Sequence, residues 1–447
     1  MKEKKVYFVS LGCPKNLVDS EILLSIAFDK KWVLCSSPDD ADLIVINTCG
    51  FLKEARRESL WWVRRCKTGG KFPVVLVTGC ATRIESREIS EIKRLANYVV
   101  DIGDLKSFEN IFEGKEILKK ECIKKKVIFP SFKYKRFLTG SGVSVYVKIS
   151  DGCSRKCSFC VIPRIKGNLV SRPMTRIESE VSELANYGVR EIVIISQDTT
   201  SYGCDLGEDG ASLESLLKKL VKIKGVEWIR IMYLYPHRSL FRIFDMMKRY
   251  PVIVPYIDMP VQHSSDRMLR IMRRGYQRCL IEELINYARE KIPDIAIRTT
   301  LLVGHPGEKE SDFFDLVGFV KKYRFERIGI MKYSDEKKAD SYSFNGKLEN
   351  REIQQRFRIL QDVASRIMEK NNRKLINKDV MVMLETCRKN GTWEGRMKTQ
   401  APQVDGKVIV TGVHSEALPG DMIWVKINEC TGVNFRGVAI SSVNKSN

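Results

Sequence analysis

Short apolar runs alternate with helix-like segments over most of this chain, and the alternation restarts once. In residues 1–125 each apolar run is only four residues long and is followed by a helical segment. Runs of this kind are typical of parallel strands covered by helices on both faces. The sequence therefore predicts an N-terminal doubly wound α/β domain, with strands at 6–9, 43–46 and 74–77 and helices at 16–27, 52–66 and 83–96.

A cysteine follows each of these three strands. The residues are Cys13, Cys49 and Cys80, and each lies next to a glycine. Because the carboxyl ends of parallel strands share one edge of a sheet, thiols that are distant in sequence are expected to converge there. We interpret them as a candidate three-cysteine cluster site. The alternative is three strand-end thiols that share no ligand.

The alternation restarts after Gly140-Ser141-Gly142. Six strands with intervening helices favour a β/α barrel, whole or partial, within residues 139–370, and chemistry in such barrels lies at the carboxyl ends of the strands. The strands are predicted at 143–149, 191–196, 228–233, 256–259, 295–303 and 327–332, and the helices at 177–187, 213–223, 240–248, 280–291 and 310–323.

The loop after the first of these strands carries Cys153, Cys157 and Cys160. Three thiols cannot complete a structural zinc site, which normally has four ligands. They can hold three irons of a [4Fe–4S] cluster and leave the fourth iron open to a small molecule. The alternatives are unrelated thiols, or a zinc site with a remote fourth ligand.

Beyond a helix predicted at 351–368, the pattern becomes all-β. Five short strands within residues 371–440 favour a small antiparallel barrel, a shape that often binds nucleic acid or protein. The alternative is a packing module. The strands are predicted at 380–385, 391–396, 408–413, 422–427 and 435–440.

The formal net charge is +22, which favours polyanionic partners such as RNA or ribosomes, although solvated basic faces would explain it equally well. A basic connector is predicted at 115–136. Neither a secretory leader nor a membrane span is predicted, so we expect a cytoplasmic protein whose thiols stay reduced. Of the 13 cysteines, those without ligand spacing are expected to be buried or incidental: Cys35, Cys66, Cys122, Cys204, Cys279, Cys387 and Cys430.

The Cys153-x3-Cys157-x2-Cys160 loop resembles that of the radical S-adenosylmethionine (SAM) superfamily. The three-part layout is similar to that of the methylthiotransferases, whose small barrel is a TRAM domain. Local motifs resemble the RimO type, which modifies an aspartate of small-subunit ribosomal protein number twelve. These motifs are Ser-Leu-Gly-Cys-Pro-Lys-Asn at 10–16, Asn-Thr-Cys-Gly-Phe at 47–51, Gln-Asp-Thr-Thr at 197–200 and Asp-x-Pro-x-Gln-His at 258–263.

This resemblance implies two [4Fe–4S] clusters and SAM. The cluster on Cys153, Cys157 and Cys160 would bind SAM and yield a 5′-deoxyadenosyl radical, and the second cluster would handle sulfur. The radical would take hydrogen from the β-carbon of the aspartate, which no general base deprotonates readily. No side chain is assigned an acid or base role. The residues expected to contact SAM or shield the first cluster are Phe159, Gln197, Gly304 and Glu308.

The implied partners are ribosomal protein number twelve or the assembling ribosome, and an electron donor such as flavodoxin or ferredoxin. One alternative is a methylthiotransferase acting on a modified adenosine of tRNA. Another is a cluster-bearing RNA- or ribosome-binding protein without turnover. The chain departs from the family at His305, where phenylalanine is usual, and at Gln400 and Gln403, where acidic residues are usual.

Overall fold

A computed structural model describes residues 3–68, 73–115, 136–207 and 210–440 of the chain. Within them the strands form a five-stranded sheet, a six-stranded sheet, a closed five-stranded barrel and a two-stranded ribbon. Most of the predicted basic connector, including Cys122, lies outside the described residues. Among the helices described, none combines the length and the apolar character that crossing a bilayer requires.

The N-terminal sheet is parallel throughout, with the order β2-β1-β3-β4-β5. One apolar core, which includes Leu23 and Phe108, packs α1 and α4 against one face, and a second, which includes Val63 and Ile89, packs α2 and α3 against the other. The prediction of a doubly wound domain is confirmed. The elements are β1 Lys5–Ser10, α1 Pro14–Asp29, β2 Val33–Leu34, β3 Leu43–Thr48, α2 Lys53–Thr68, β4 Val74–Gly79, α3 Arg87–Leu95, β5 Tyr98–Val99 and α4 Leu105–Glu113.

The third helix begins later than predicted. Residues Cys80–Arg83 form a short 3₁₀ helix directly after β4. The α-helix starts only after Ser86, whose hydroxyl accepts a hydrogen bond from the Ile89 amide at 3.3 Å and so acts as the N-cap. Placing a helix start at residue 83 was therefore wrong. The two-residue strands β2 and β5 and the nine-residue α4 were not predicted.

The central sheet has the order β13-β12-β11-β10-β9-β6, and all its neighbouring strands are parallel. Six strands in this order form an open, partial barrel, as predicted. Its elements are β6 Ser144–Lys148, β7 Ser150–Asp151, α5 Ile162–Lys166, β8 Val170–Ser171, α6 Met174–Asn186, β9 Glu191–Ile195, α7 Leu213–Leu220, β10 Trp228–Ile231, α8 Leu240–Arg249, β11 Ile253–Asp258, α9 Asp266–Ile271, α10 Arg278–Lys291, β12 Ala296–Val303, α11 Glu310–Tyr323, β13 Arg327–Lys332 and α12 Asn350–Arg373.

The inner face of this open sheet is covered by the other two parts of the chain. Its buried residues, such as Val193 and Trp228, share one apolar cluster with Val18 of α1. The same cluster includes Met383 and Ala401 from the C-terminal region. The first sheet and the small barrel are therefore packed against the second sheet, so the three parts hold fixed positions.

The C-terminal strands close into a barrel in the order β14-β15-β16-β18-β17, with apolar residues inside. Four neighbouring pairs are antiparallel, but β16 and β18 are parallel, so the expectation of an antiparallel barrel holds except at this pair. An odd number of strands cannot alternate in direction around a closed ring, and one parallel pair must result. The strands are β14 Asp379–Cys387, β15 Trp393–Met397, β16 Val408–Thr411, β17 Met422–Thr431 and β18 Asn434–Ala439.

A buried ion network fixes the barrel to the central sheet. The Glu191 carboxylate, at the start of β9, is fully buried and pairs with Arg230 at 2.7 Å and with Arg396 of the barrel. Arg396 also donates to Ser144 at 2.6 Å and pairs with Glu385 at 2.7 Å. Burial alone would raise the pKa of Glu191, but Arg396 and Arg230 lower it to about 2.

The two glutamines that replace acidic residues lie at this junction. Gln400 is buried, and its side-chain oxygen accepts a hydrogen bond from the Met397 amide at 3.0 Å, so it is unable to meet a partner protein. Gln403 is exposed, with a left-handed φ of 67°. Nearby, Asp405 is buried and pairs with Arg298 of the central sheet at 2.8 Å. The Gln400 amide nitrogen also donates to the Asp405 carbonyl at 3.4 Å, so the substitution at 400 concerns local structure within the barrel region.

We expect Arg396→Met to lower the free energy of unfolding by about 3–5 kcal/mol, because removal of one partner leaves the buried carboxylate of Glu191 undercompensated. Urea unfolding measures the difference. The matched control is Arg388→Met in the same barrel, which removes an exposed ion pair with Glu394 and should change stability by about 1 kcal/mol or less. Equal effects of the two variants would contradict this role for Arg396.

Candidate functional site

The first cysteine loop depends on a tight backbone approach. β7 pairs with β8 just before Cys153, and Gly152 lies between them with a φ of 72°. A Cβ at position 152 would lie 2.0 Å from the carbonyl oxygen of Asn168, so only glycine fits. Cys153 is buried, whereas Cys157 and Cys160 are partly exposed. The first cysteine loop therefore begins directly after the β7–β8 pair, where Gly152 fixes its backbone.

The second group of thiols is brought together by the edge of the first sheet, as predicted. Cys13, Cys49 and Cys80 follow β1, β3 and β4. A Cβ added to Gly12 would lie 2.7 Å from the Cβ of Cys49, so the first two loops touch. Asn16 links all three loops: its amide nitrogen donates to Thr48 at 3.1 Å, and its side-chain oxygen lies 3.6 Å from the sulfur of Cys80.

Both groups of thiols line one cavity of about 430 Å³ between the two sheets. Within the described residues, no group of three or more His, Cys, Asp or Glu side chains is arranged to hold a single metal ion. The thiols instead surround a space large enough for a multinuclear group and an organic molecule. The cysteines that line it are Cys13, Cys49, Cys80, Cys153, Cys157 and Cys160.

Burial shapes the acid–base behaviour of these thiols. It raises the pKa of Cys80 and Cys160 to about 12 and that of Cys153 to about 11, and it also raises the pKa of Cys49. A thiol with such a pKa is protonated at neutral pH and is a poor nucleophile. Free catalytic thiols are therefore disfavoured here, and a metal bound by these thiols has to displace their protons.

Arg274 lies beside the first group of thiols. Its guanidinium donates to the sulfur of Cys157 at 3.2 Å and to the Pro260 carbonyl at 2.9 Å, and it lies 4.4 Å from the centre of the Tyr235 ring. Arg155 covers the same ring at 3.9 Å and pairs with Asp198 at 2.7 Å. A fixed positive charge next to a thiolate ligand stabilises the more negative state of a bound cluster. Neither arginine carries a sequence signal for this position.

The residues predicted to contact SAM divide into two pairs. Phe159 and Gln197 line the cavity. The Gln197 amide nitrogen donates to Asp151 at 2.8 Å, while its oxygen is buried without a hydrogen-bond partner. A buried, unpartnered acceptor of this kind fits a cavity that receives a polar ligand.

Gly304 and Glu308 do not line the cavity wall that Phe159 and Gln197 share. The Glu308 carboxylate accepts from the Gly304 amide at 2.8 Å and pairs with Arg356 at 2.5 Å. This glutamate therefore closes its own loop and ties it to α12. Contact of either residue with a cofactor stays a prediction.

A buried ion network joins the two sheets below the cavity. Asp19 of α1 pairs with Lys148 at 2.5 Å, and Lys166 lies 3.4 Å from Asp151. Lys148 and Lys166 hold the pKa of Asp151 well below its usual range, against the effect of burial. Asp151 also receives the hydrogen bond of Gln197, so the network reaches the wall of the cavity.

The other cysteines contribute no common site in the part of the chain that is described. Cys66 is buried, and Cys35 and Cys430 are partly exposed. Cys204, Cys279 and Cys387 are exposed and lie on turns and element ends, where no core covers the side chain, so of the two expectations they fit incidental thiols and not buried ones.

His305 is built into the wall of aromatic rings behind the first cysteine loop. Its Nδ1 lies 2.9 Å from the Pro306 carbonyl, which only accepts, so Nδ1 donates and Nε2 accepts from the Ser158 hydroxyl at 3.0 Å. Phe159 and Tyr333 meet its ring edge-on. Burial lowers the pKa of His305 from 6.5 to about 4.

Comparison with known proteins matches the three parts of the chain separately. Residues 147–320 match the Radical SAM superfamily, residues 5–101 match the uncharacterized protein family UPF0004, and residues 376–440 match the TRAM domain. Proteins of the first family use a [4Fe–4S] cluster and SAM, which agrees with the thiols and the cavity described above.

Whole-chain relatives decide the family. The ribosomal protein uS12 methylthiotransferase RimO of Clostridium acetobutylicum is 35% identical over 450 residues, which is 100% of each chain. That of Sorangium cellulosum is 36% identical over 98% of this chain and 91% of the relative. This chain belongs to the RimO methylthiotransferase family.

A solved structure supports the fold of this RimO family member. The radical SAM methyltransferase TsrM of Kitasatospora setae, with cobalamin and a [4Fe–4S] cluster bound, covers 74% of this chain and 72% of its own length with a TM-score of 0.53. At 14% identity this likeness shows the architecture alone.

His305→Phe should make the protein less sensitive to acid. The pKa of this histidine is about 4 in the folded chain and about 6.5 when unfolded, so the unfolded chain binds more protons between these values. Stability therefore falls as the pH falls through this window, by about 2 kcal/mol from this group at pH 5. Urea unfolding from pH 7.5 to 5 should show a shallower dependence for the variant.

Ser158→Ala is the matched control for that measurement. It removes the same hydrogen bond to His305 and keeps the imidazole, so its pH dependence should follow that of the wild type. If His305→Phe and Ser158→Ala change the pH dependence of the unfolding free energy alike, the hydrogen bond between the two residues determines this dependence, and the buried imidazole does not.

Proposed function

We propose that this chain is a radical SAM methylthiotransferase that places a methylthio group on the β-carbon of an aspartate in ribosomal protein uS12, the ribosomal protein number twelve named above. The observation that carries the proposal is the pair of cysteine groups facing one cavity of about 430 Å³. Its relatives from Clostridium acetobutylicum and Sorangium cellulosum are named as methylthiotransferases of ribosomal protein uS12.

The residues present fit two [4Fe–4S] clusters. Each group offers three thiols, so each cluster would keep one iron without a protein ligand. Cys153, Cys157 and Cys160 would hold the cluster at which SAM binds, and the group at the edge of the first sheet would hold the other. When bound, these groups supply one-electron chemistry that abstracts hydrogen from an unactivated carbon, and a site from which sulfur is delivered.

The chain itself binds, orients and excludes water. Arg274 fixes the orientation of Cys157 and places a positive charge next to it. Phe159 and the rings around His305 form an apolar wall behind the first cysteine loop. Gln197 presents an unpartnered oxygen to the ligand space. A cavity between two sheets limits the contact of reactive species with solvent, which is the role of the protein in cofactor chemistry of this kind.

The proposed reaction needs an electron donor. A one-electron donor such as flavodoxin or ferredoxin would supply the reducing equivalents.

The net charge of +22 and the small barrel, a shape that often binds nucleic acid, favour the tRNA alternative. The names of the full-length relatives point to a ribosomal protein instead. Mass spectrometry of uS12 and of tRNA from a deletion strain separates the two, because loss of a methylthio group from tRNA alone would contradict our proposal.

Cysteine substitutions test the assignment of the two groups. Cys157→Ala should remove about four of about eight irons per chain and abolish both 5′-deoxyadenosine and methylthiolated uS12. Cys49→Ala should also remove about four irons and abolish the methylthio product, while 5′-deoxyadenosine is still formed from SAM. Iron analysis, chromatography and peptide mass spectrometry measure these quantities in anaerobically reconstituted protein.

The control is Cys279→Ala, which removes an exposed thiol far from the cavity lining and should retain the full iron content and both products. Wild-type protein that forms no 5′-deoxyadenosine would favour a binding protein without turnover. Wild-type protein with about four irons would reduce the proposal to one cluster.

A further inference from the structure

Lys15 stands in the cavity between the two groups of thiols. It lies two residues after Cys13 in the first turn of α1 and is only 8% exposed. Its ammonium lies 3.3 Å from the carbonyl oxygen of Ser196 and 3.3 Å from the centre of the Tyr233 ring. The side chain of Lys15 therefore crosses from the first sheet to strand-end loops of the second.

Among the described residues Lys15 forms no ion pair within 4 Å, and Asp258 attracts its ammonium only from a greater distance. Two neighbouring cations, Lys166 and Arg155, do form close ion pairs. Lys166 pairs with Asp19 at 3.5 Å and with Asp151 at 3.4 Å. Arg155 pairs with Asp198 at 2.7 Å. A buried charge that lacks a close counterion is unfavourable, so an anion that arrives with a ligand would be stabilised beside it.

The acid nearest to Tyr233 serves other groups. Asp258 accepts from the backbone amide of Tyr233 at 3.1 Å and lies 3.6 Å from Arg298. The carbonyl of Asp258 accepts from the amide of Leu234 at 2.8 Å. The carboxylate and the carbonyl of Asp258 therefore hold the loop. Asp258 attracts the ammonium of Lys15 without forming an ion pair within 4 Å among the described residues, and Lys15 lines the cavity.

Tyr233 is held in a conformation that such a residue rarely adopts. Its φ is 61°, in the left-handed region where aromatic side chains are uncommon. The hydrogen bonds of Asp258 impose this backbone and direct the ring into the cavity, against the ammonium. Strained backbone of this kind persists where surrounding contacts determine it and is concentrated at functional sites.

We propose that Lys15 binds the side-chain carboxylate of the substrate aspartate and thereby determines that the enzyme accepts aspartate and not asparagine. The inference rests on the proposed function and names the group that recognises its substrate. In aspartate the carboxylate carbon is bonded directly to the β-carbon. Fixing the carboxylate at Lys15 therefore holds the reacting carbon in the space between the two groups of thiols, where proximity accelerates reaction.

The experiment compares binding of uS12 from the same genome with its variant in which the target aspartate is asparagine, using reconstituted holoenzyme with SAM under anaerobic conditions. Wild-type enzyme should prefer the aspartate form by about 10- to 100-fold, the range for a hydrogen bond to a charged group. In Lys15→Met and Lys15→Gln the preference should fall to about one, through weaker binding of the aspartate form alone. Lys15→Arg, which keeps the charge, should restore part of the preference.

Lys222→Met is the matched control, because it removes an exposed lysine of the central region and should keep the wild-type preference. Iron content and thermal unfolding of each variant report whether it folds and loads. If Lys15→Met and Lys15→Gln weaken both forms of uS12 equally, Lys15 only clamps the two sheets together and the inference is wrong.

Different results would contradict the role of Lys15 and the methylthiotransferase activity. Wild-type enzyme that methylthiolates uS12 but binds its aspartate and asparagine forms equally would overturn the role of Lys15 and leave the function intact. Wild-type enzyme that forms no methylthiolated uS12 would overturn the function. Binding of the aspartate and asparagine forms of uS12 to wild-type enzyme tests the preference for aspartate even if every substitution at Lys15 unfolds the protein.

Discussion

Four buried charges hold the carboxyl edges of the two open sheets face to face. Asp19 comes from α1 of the first sheet, and Lys148, Asp151 and Lys166 come from the second. Breaking a buried network by removal of one member leaves a charge without compensation, which is far more damaging than the loss of a surface pair. The distance between the two groups of thiols depends on this network, because each group is rigidly attached to its own sheet.

The small barrel completes this arrangement from the opposite side. It supplies Met383 and Ala401 to the inner face of the central sheet and Arg396 to Glu191. An open sheet exposes its concave face to water, and here one end of that face is covered by α1 and the other by the barrel. The barrel is therefore a structural part of the central domain.

The sequence predicts the parts of the site that follow from local rules. Cys13, Cys49 and Cys80 could be brought together in advance because parallel strands place their carboxyl ends on one edge. Contacts that join distant segments could not be predicted in this way. The carboxylate of Glu308 ends on Arg356 of α12, and Lys15 meets Tyr233, which is in another domain. No periodicity or spacing encodes the direction of those side chains, and Arg274 carries no pattern at all.

The double role of α1 has a consequence for synthesis on the ribosome. Domains generally fold as units, the N-terminal one first. The first sheet can be complete before β6 is made, but Val18 of α1 belongs to an apolar cluster that is built mainly from residues of the central sheet. Until the central sheet is made, apolar residues of α1 stay exposed, and the thiols at the edge of the first sheet are not yet covered by the second sheet. This interval is the period in which the nascent chain most needs protection from aggregation.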